Sequence, residues 1–392
     1  MRSTSVLITI TGRDRSGVTA AFFAALAAHD VDIRDVEQVV VRNRLLLAVL
    51  LDLRGDPSAL RGSVTQAAQA LGMEAEVVVA DDGAEPTRPR GARSHVTLLG
   101  RPLRAGAFSH VAGRIAELGA NIESVVQLST EPVSAVEMIV RSSDPKELQA
   151  VLMRAADDTG VDIAVEAAGL RRRAKRLVVL DVDSTLIRGE GIDVLAARAG
   201  VGRQVAAITE RAMAGELDFA TSLRERVALL AGLSESEVHA ARDALRLTPG
   251  ARTFVRTLRA LGYVVGVVSG GFTVFTDRFV RELELDFAAA NALQVEDGRL
   301  TGRLVGDLVD RAGKAHALAR FAERFAVPMA QTVAVGDGAN DIDMLESAGL
   351  GIAFNAKAAL RAAADTSVNV PYLDTVLFVL GISGEEIAEA RV

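Results

Sequence analysis

The run Leu177-Val178-Val179-Leu180-Asp181-Val182-Asp183-Ser184-Thr185-Leu186 decides how most of this chain folds. Its four leading apolar residues have the pattern of a parallel strand buried on both faces, and polar groups begin where the strand stops. Two later runs share the form. Val264–Val268 ends on Ser269, and Thr332–Val335 leads through Gly336 to Asp337. Stretches with helical spacing separate the three, which predicts a Rossmann-like α/β parallel sheet from Leu177 onward. Asp193 to about Leu247 has helical spacing and no good strand, so a helical insertion is expected after the first strand.

In an open parallel sheet, ligands bind beyond the carboxyl ends of the strands. A single aspartate after a strand is ordinarily a turn or a helix cap, but three polar strand ends at one edge define a candidate site. Residues two apart in extended chain share a side, so Asp181 and Asp183 face one small volume. Two such charges about 4 Å apart repel by roughly 4 kcal/mol at an effective dielectric of about 20. A metal, a lysine or a proton on one carboxylate would relieve this. Asp337 and Asp341, in Gly336-Asp337-Gly338-Ala339-Asn340-Asp341, add oxygens of the kind Mg2+ takes. Lys314 stands at the start of a helix expected over Gly313–Phe325. Ser269-Gly270-Gly271 offers a hydroxyl and backbone N–H groups to phosphate oxygens. Lys146, Lys175, Lys314 and Lys357 are the only lysines among 44 basic residues, so a lysine at a chemical position is informative.

Outward from this run, toward the N-terminus, the sequence repeats itself. Gly12-Arg13 aligns with Gly100-Arg101, and Val31-Asp32-Ile33 with Ala120-Asn121-Ile122. The first copy reads as strand Val6–Ile10, helix Gly17–His29, strands Ile33–Val41 and Leu45–Leu53, helix Pro57–Leu71 and strand Glu76–Ala80. Asp56 is the expected cap of the second helix, with proline at its first position. The second copy reads Val96–Leu99, Gly106–Leu118, Ile122–Leu128, Val133–Val140, Pro145–Asp158 and Val161–Val165. The order βαββαβ is the α+β ferredoxin-like plan. Asp81–Ala92, with Gly83, Pro86, Pro89 and Gly91, reads as the linker between the copies. The basic run Arg171-Arg172-Arg173-Ala174-Lys175-Arg176 reads as a solvated linker between domains. No aromatic residue interleaves it as a nucleic-acid site would favour. The expected domains are 1–82, 93–168 and 169–392, the last with a helical cap over about 190–248.

The 392 residues are 49% hydrophobic and 24% charged, a globular balance with room for two or three domains. Acids outnumber bases 51 to 44, for a net charge of −7, opposite in sign to a protein that holds nucleic acid through its general field. Cysteine is absent, which excludes disulfides, thiolate metal sites and cysteine nucleophiles. The start has no signal-type core, and Leu45–Leu51, the most apolar stretch, is far short of a membrane span. A cytoplasmic protein is expected. His29, His95, His110, His239 and His316 show no ligand spacing, and neither a Gly-x-Ser-x-Gly elbow nor a Walker A loop occurs.

The ordered motifs Asp181-Val182-Asp183-Ser184-Thr185, Ser269, Lys314 and Gly336-Asp337-Gly338-Ala339-Asn340-Asp341 resemble those of the haloacid-dehalogenase-like phosphatases, from about Leu177 to the C-terminus. The finer resemblance is to the phosphoserine phosphatase family. It lies in Glu190 of Arg188-Gly189-Glu190, in Met213-Ala214-Gly215-Glu216-Leu217-Asp218-Phe219, in Arg226 and in Asn340. The two repeats resemble ACT domains, and a tandem pair ahead of such a phosphatase is similar to the long, mycobacterial-type form. The second copy departs from the ACT turn pattern, with Pro102 where the first has Asp14.

The resemblance implies Mg2+-dependent hydrolysis of O-phospho-L-serine through an aspartyl-phosphate, the last step of L-serine biosynthesis. It makes Asp181 the nucleophile and Asp183 the acid and base, and assigns the metal to Asp181, the Asp183 carbonyl and Asp337, with Asp341 in support. Lys314, Ser269 and Gly270 fall on the phosphoryl group. Glu190 and Arg226 fall on the ammonium and carboxylate of the substrate, Met213 and Phe219 on the lid, and Asn340 on a substrate contact. L-serine as an effector near Gly17 and Gly106, and a homodimer through the ACT domains, also follow from the resemblance. Two alternatives stay open: a phosphatase of another small ester, and an amino-acid-binding regulator whose phosphatase half is vestigial. No nucleic-acid or membrane partner is expected.

Overall fold

The computed structural model describes residues 3–79, 91–169, 172 and 174–390. The chain divides into two units, Met1–Arg88 and Pro89–Val392. In the first, β1 (Thr4–Arg13), β2 (Val31–Val41), β3 (Arg44–Leu53) and β4 (Met73–Val79) form an antiparallel sheet in the order β2-β3-β1-β4. Alternation puts Val6, Ile8 and Ile10 of β1 and Leu45, Leu47, Val49 and Leu51 of β3 on one face, against Phe22 and Leu26 of helix Val18–Leu26 and Leu60 and Val64 of helix Pro57–Ala70. Asp56 caps that second helix, accepting from the Ser58 N–H. The strands run longer than the apolar runs because threonines and a glycine continue the ladder at either end of β1. β2 is an open edge on which Ile33, Val36, Val39, Val40 and Val41 are all exposed.

The second unit opens with the repeat of this plan. β5 (Ala92–Gly100), β6 (Asn121–Ser129), β7 (Ser134–Ser142) and β8 (Asp162–Ala167) are ordered β6-β7-β5-β8, covered by helices Ala105–Glu117 and Pro145–Thr159. Most of the expected linker, residues 81–90, lies outside the described residues. Ala92, placed at its end from sequence, is already the first residue of β5.

A seven-stranded sheet follows in the order β12-β11-β10-β9-β13-β14-β15. Its members are β9 (Leu177–Leu180), β10 (Val264–Phe272), β11 (Phe287–Glu296), β12 (Arg299–Val305), β13 (Thr332–Gly336), β14 (Gly351–Phe354) and β15 (Thr366–Val368). All neighbours are parallel except β11 and β12, a hairpin that the sequence reading did not contain. Val178, Leu180, Val265, Val267, Val333 and Val335 face one layer with Phe254, Leu258 and Phe279. Leu177, Val179, Val268 and Ala334 face the other with Leu318, Phe321 and Met344. Between β9 and β10 the chain forms helices Gly191–Arg198, Gly202–Met213, Phe219–Ala228 and Glu235–Ala244, the expected insertion.

The basic run is solvated only in part where it is described, which corrects that expectation: Arg176 is exposed, but Arg172 and Lys175 are not. Arg172 is buried between Glu137, Glu166 and His95 and reaches the Val379 carbonyl, while Lys175 donates to the carbonyls of Ala330 and Gly349. Arg171 and Arg173 lie outside the described residues. Along the same junction Asp162 accepts from the backbone N–H groups of Asn369 and Val370 and from the Asn369 side chain, so β8 docks on β15.

Candidate active site

Asp181 is held at the end of β9, its N–H bonded to the Val335 carbonyl of β13. The strand ends at Leu180, and within the turn that follows Asp183 keeps an extended conformation at φ −66° and ψ 130°. Ser184 then turns into the left-handed region at φ 57° and its N–H donates to the Gly189 carbonyl, so the chain doubles back. That turn brings the Asp183 carboxylate 2.7 Å from the Gly191 N–H and 3.5 Å from Ser269 Oγ. Ser269 Oγ in turn accepts from the Gly271 N–H at 2.9 Å.

Lys314 projects from helix Arg311–Arg324, whose start is fixed by Asp310 accepting from the Gly313 N–H. Its ammonium is fully buried, 2.5 Å from Asp181 Oδ1 and 2.7 Å from Asp341 Oδ1. The other Asp341 oxygen accepts from the N–H groups of Asp337 and Gly338, tying the loop after β13 to the lysine. Gly336 is required there, since a Cβ would stand 2.5 Å from the Asp341 carboxylate. Thr185 Oγ1 approaches Asp337 Oδ1 at 3.4 Å.

Asp181, Asp183 and Asp337 form the floor of a cavity of about 470 Å3, with Ser269, Lys314 and Asp341 buried directly behind it. Asp181, Asp183, Gly270, Gly271, Asp337, Gly338 and Asn340 line it from the sheet, and Glu190, Phe219 and Arg226 from the helical insertion. Of Met213 only the backbone, at the end of its helix, can be placed; its side chain lies outside the described residues. Gly17 and Gly106 are far from equivalent. Gly17 precedes its helix at φ 90°, whereas Gly106 lies within the first turn of Ala105–Glu117, and a Cβ on either would meet open space.

Burial and the Glu190 charge push the Asp183 carboxyl up to about 6. Burial and Asp341 push Asp337 up to about 7. Burial and Asp341 also push Asp181 upward, against the pull of Lys314. The Lys314 ammonium stays charged despite its burial, because Asp181 and Asp341 both hold the proton on it. Four carboxylates therefore share one fully committed cation, an excess of negative charge that a bound metal ion would relieve. Oxygens of Asp181, Asp337 and Asp341 lie within 4.8 Å of one another, an all-oxygen set suited to a hard divalent cation such as Mg2+. The Asp183 side chain is outside that set, turned to Gly191 and Ser269; its expected share in the metal was through its carbonyl.

Three residues in or beside this site were missed from sequence: Thr185, Asn291 and Lys357. Asn291, buried on β11, donates to the Gly270 carbonyl and accepts from the Val309 N–H. It thereby joins the serine turn to the segment that leads into the Lys314 helix. Nothing in the sequence singles it out. Lys357 lines the cavity, and its signal was the scarcity of lysine.

A parallel sheet with aspartates at adjacent strand ends, a buried lysine between them and a helical cover defines a class, that of the haloacid dehalogenase-like hydrolases. The family model of that description matches residues 178–346, and models of the ACT domain match residues 4–78 and 93–166. The phosphoserine phosphatase of Streptomyces coelicolor is 54% identical over 389 residues, covering 98% of this chain and 94% of that one. Phosphoserine phosphatase SerB2 of Mycobacterium tuberculosis is also 54% identical, over 394 residues covering 98% and 95% of the two chains. A solved phospho-aspartyl intermediate analogue of phosphoserine phosphatase superposes with a TM-score of 0.50 at 43% identity, over 52% of this chain and 98% of that one. The chain belongs to the phosphoserine phosphatase family, in the form that carries two ACT domains.

Proposed function

We propose that the chain hydrolyses O-phospho-L-serine to L-serine and phosphate with Mg2+, as the last step of L-serine biosynthesis in the cytoplasm. The observation that carries this reading is the Lys314 ammonium seated between Asp181 and Asp341, with the Asp183 carboxyl facing the same cavity. Lys314 fixes one oxygen of Asp181 and leaves the other for attack on phosphorus. The bond from phosphorus to the serine oxygen breaks as the new bond forms, and Asp183 gives its proton to the departing oxygen. In the second half Asp183, now a carboxylate, takes a proton from water as the water oxygen attacks phosphorus and Asp181 is released. A carboxyl pushed up to about 6 is suited to both directions of transfer. Ser269 and Lys314 steady the phosphoryl oxygens, with the Gly270 N–H beside them. Bound among Asp181, Asp337 and Asp341, Mg2+ supplies the positive charge that offsets an anionic nucleophile meeting a phosphate dianion.

Selectivity comes from the far end of the cavity. Arg226 suits the amino-acid carboxylate and Glu190 its ammonium, while Phe219, with Met213, supplies apolar cover. Asn340 contacts the substrate from the sheet side. A homodimer would use the open β2 edge and β6, where Val125 and Val126 are exposed, since an unpaired apolar strand edge invites a partner. L-serine near Gly17 and Gly106 is the proposed effector. Among the described residues no helix is long and apolar enough to cross a membrane.

The test is phosphate release from O-phospho-L-serine, O-phosphothreonine and a sugar phosphate, with Asp181→Asn as control. Turnover of phosphoserine alone, abolished in the control and by a chelator, is expected. Turnover of a different ester alone would discard the roles of Glu190 and Arg226 while keeping the chemistry. Silence on all three would favour the regulator reading.

A further inference from the structure

Four acids, Asp181, Asp183, Glu190 and Asp337, line the cavity where a phosphate dianion must arrive, with Asp341 buried behind them, in a chain whose net charge is already −7. Lys314 is already paired with Asp181 and Asp341 at the bottom of the site, where it serves the bound phosphoryl group and not the approach. Arg226 stands on the insertion helix Phe219–Ala228, half-buried, where the charges of Glu190, Asp193 and Asp183 act on it. Lys357 is different. It lines the cavity, is exposed, and among the described residues its ammonium makes neither an ion pair nor a hydrogen bond. Its own N–H donates to the Asp337 carbonyl, so the side chain springs from the wall formed by Asp337, Gly338 and Asn340. It thus belongs to the sheet side of the cavity, whereas Arg226 comes from the helical insertion.

We infer that Lys357 captures the phosphate end of the incoming substrate and attends the departure of inorganic phosphate. The inference rests on the phosphomonoesterase reading above and adds to it a residue specific for the dianion. Carboxylates along a cleft resist an arriving dianion, and one uncommitted cation at the rim lowers that resistance along the approach. The choice of lysine fits the task. With arginine as the chain's ordinary base, a flexible stem bearing a point charge can follow a phosphate inward and release it, whereas a planar guanidinium holds phosphate through two bonds at once.

The test compares Lys357→Gln and Lys357→Arg with the parent, all loaded with Mg2+. Because the side chain is exposed, neither change threatens folding. The glutamine variant should raise KM for O-phospho-L-serine and weaken inhibition by inorganic phosphate, each roughly three- to tenfold, with kcat altered less than either. The slope of kcat/KM against ionic strength should flatten in that variant and persist in the arginine one, which should also bind phosphate at least as tightly as the parent. Parental KM, phosphate inhibition and salt slope in Lys357→Gln would overturn the inference, as would an arginine variant that behaves like the glutamine one. Calorimetric titration of the same proteins with inorganic phosphate reads the site without turnover. Weaker binding in Lys357→Gln alongside no hydrolysis of phosphoserine would sustain the inference while the substrate assignment fell.

Discussion

A Cβ on Gly271 would lie 2.7 Å from Asp183 Oδ2 and 3.0 Å from Ser269 Oγ, closer than real side chains come. The smallest substitution there must push aside either the proton carrier or the phosphate-binding hydroxyl. Gly271→Ala is expected to lower kcat by about a hundredfold, the scale of a misplacement near 1 Å, with little change in melting temperature. An unchanged kcat would show that Asp183 is not held where the proton is needed. At this scale the sequence was legible where an apolar run stops on a polar residue, as at Asp181, Ser269 and Asp337, although β10 does not end at Ser269 as expected but runs on to Phe272. Thr185 and Asn291 were opaque for the opposite reason. One sits inside a turn that reverses the chain, and the other looks like a stray polar residue in an apolar segment whose neighbour, β10, is known only once the strand order is.

Among the elements, β11 contributes more than an extra strand. Through Asn291 it bonds both the turn after Ser269 and the Val309 N–H next to Asp310, the residue that caps the Lys314 helix. Asn291→Ala leaves both backbone groups without their partner, at a cost of about 1 kcal/mol each because both are only half-buried. Thermal unfolding should report that loss. Kinetics should show kcat falling more than KM rises, because the groups displaced act on the phosphoryl transfer. A variant that melts early yet keeps the parental kcat would confine Asn291 to stability. The helical insertion was legible from spacing alone, whereas the β11–β12 hairpin was not. Its Ala288-Ala289-Ala290 stretch carries no strand-like alternation, and pairing with β10 at Ala288 and Ala289 makes it a strand.

For the whole molecule, Arg172 is a point where the second ACT domain meets the catalytic domain, at the end of helix Val376–Val379. Burial raises Glu137, but the hydrogen bond from His95 and the charge of Arg172 overcome it, leaving its carboxyl below the ordinary value. At Glu166 burial wins and the shift is upward. A depressed carboxyl contributes stability that is present above its unfolded value, about 4.5, and lost as pH falls through the folded one. Glu137→Gln should therefore cost about 1–3 kcal/mol near neutral pH, with the difference from the parent vanishing in acid. Denaturant melts at several pH values decide this, and a penalty independent of pH would refute it. The run around Arg172 misled the sequence reading because a cluster of like charges looks solvated. The acids that neutralise it lie on β7 and β8, one of them 35 residues away, and only folding brings them together.

The junction between β8 and β15 has a consequence for how the chain can be subdivided. A version trimmed to begin at Leu177 would satisfy every sequence criterion for a catalytic domain. It would also uncover the backbone N–H groups of Asn369 and Val370 that Asp162 now receives, the Thr366 hydroxyl that bonds the Ile163 carbonyl, and the Tyr372 ring beneath Arg101. The second ACT domain is in that sense masonry as well as appendage, and a sensible cut for an excised enzyme falls ahead of β5 rather than behind β8.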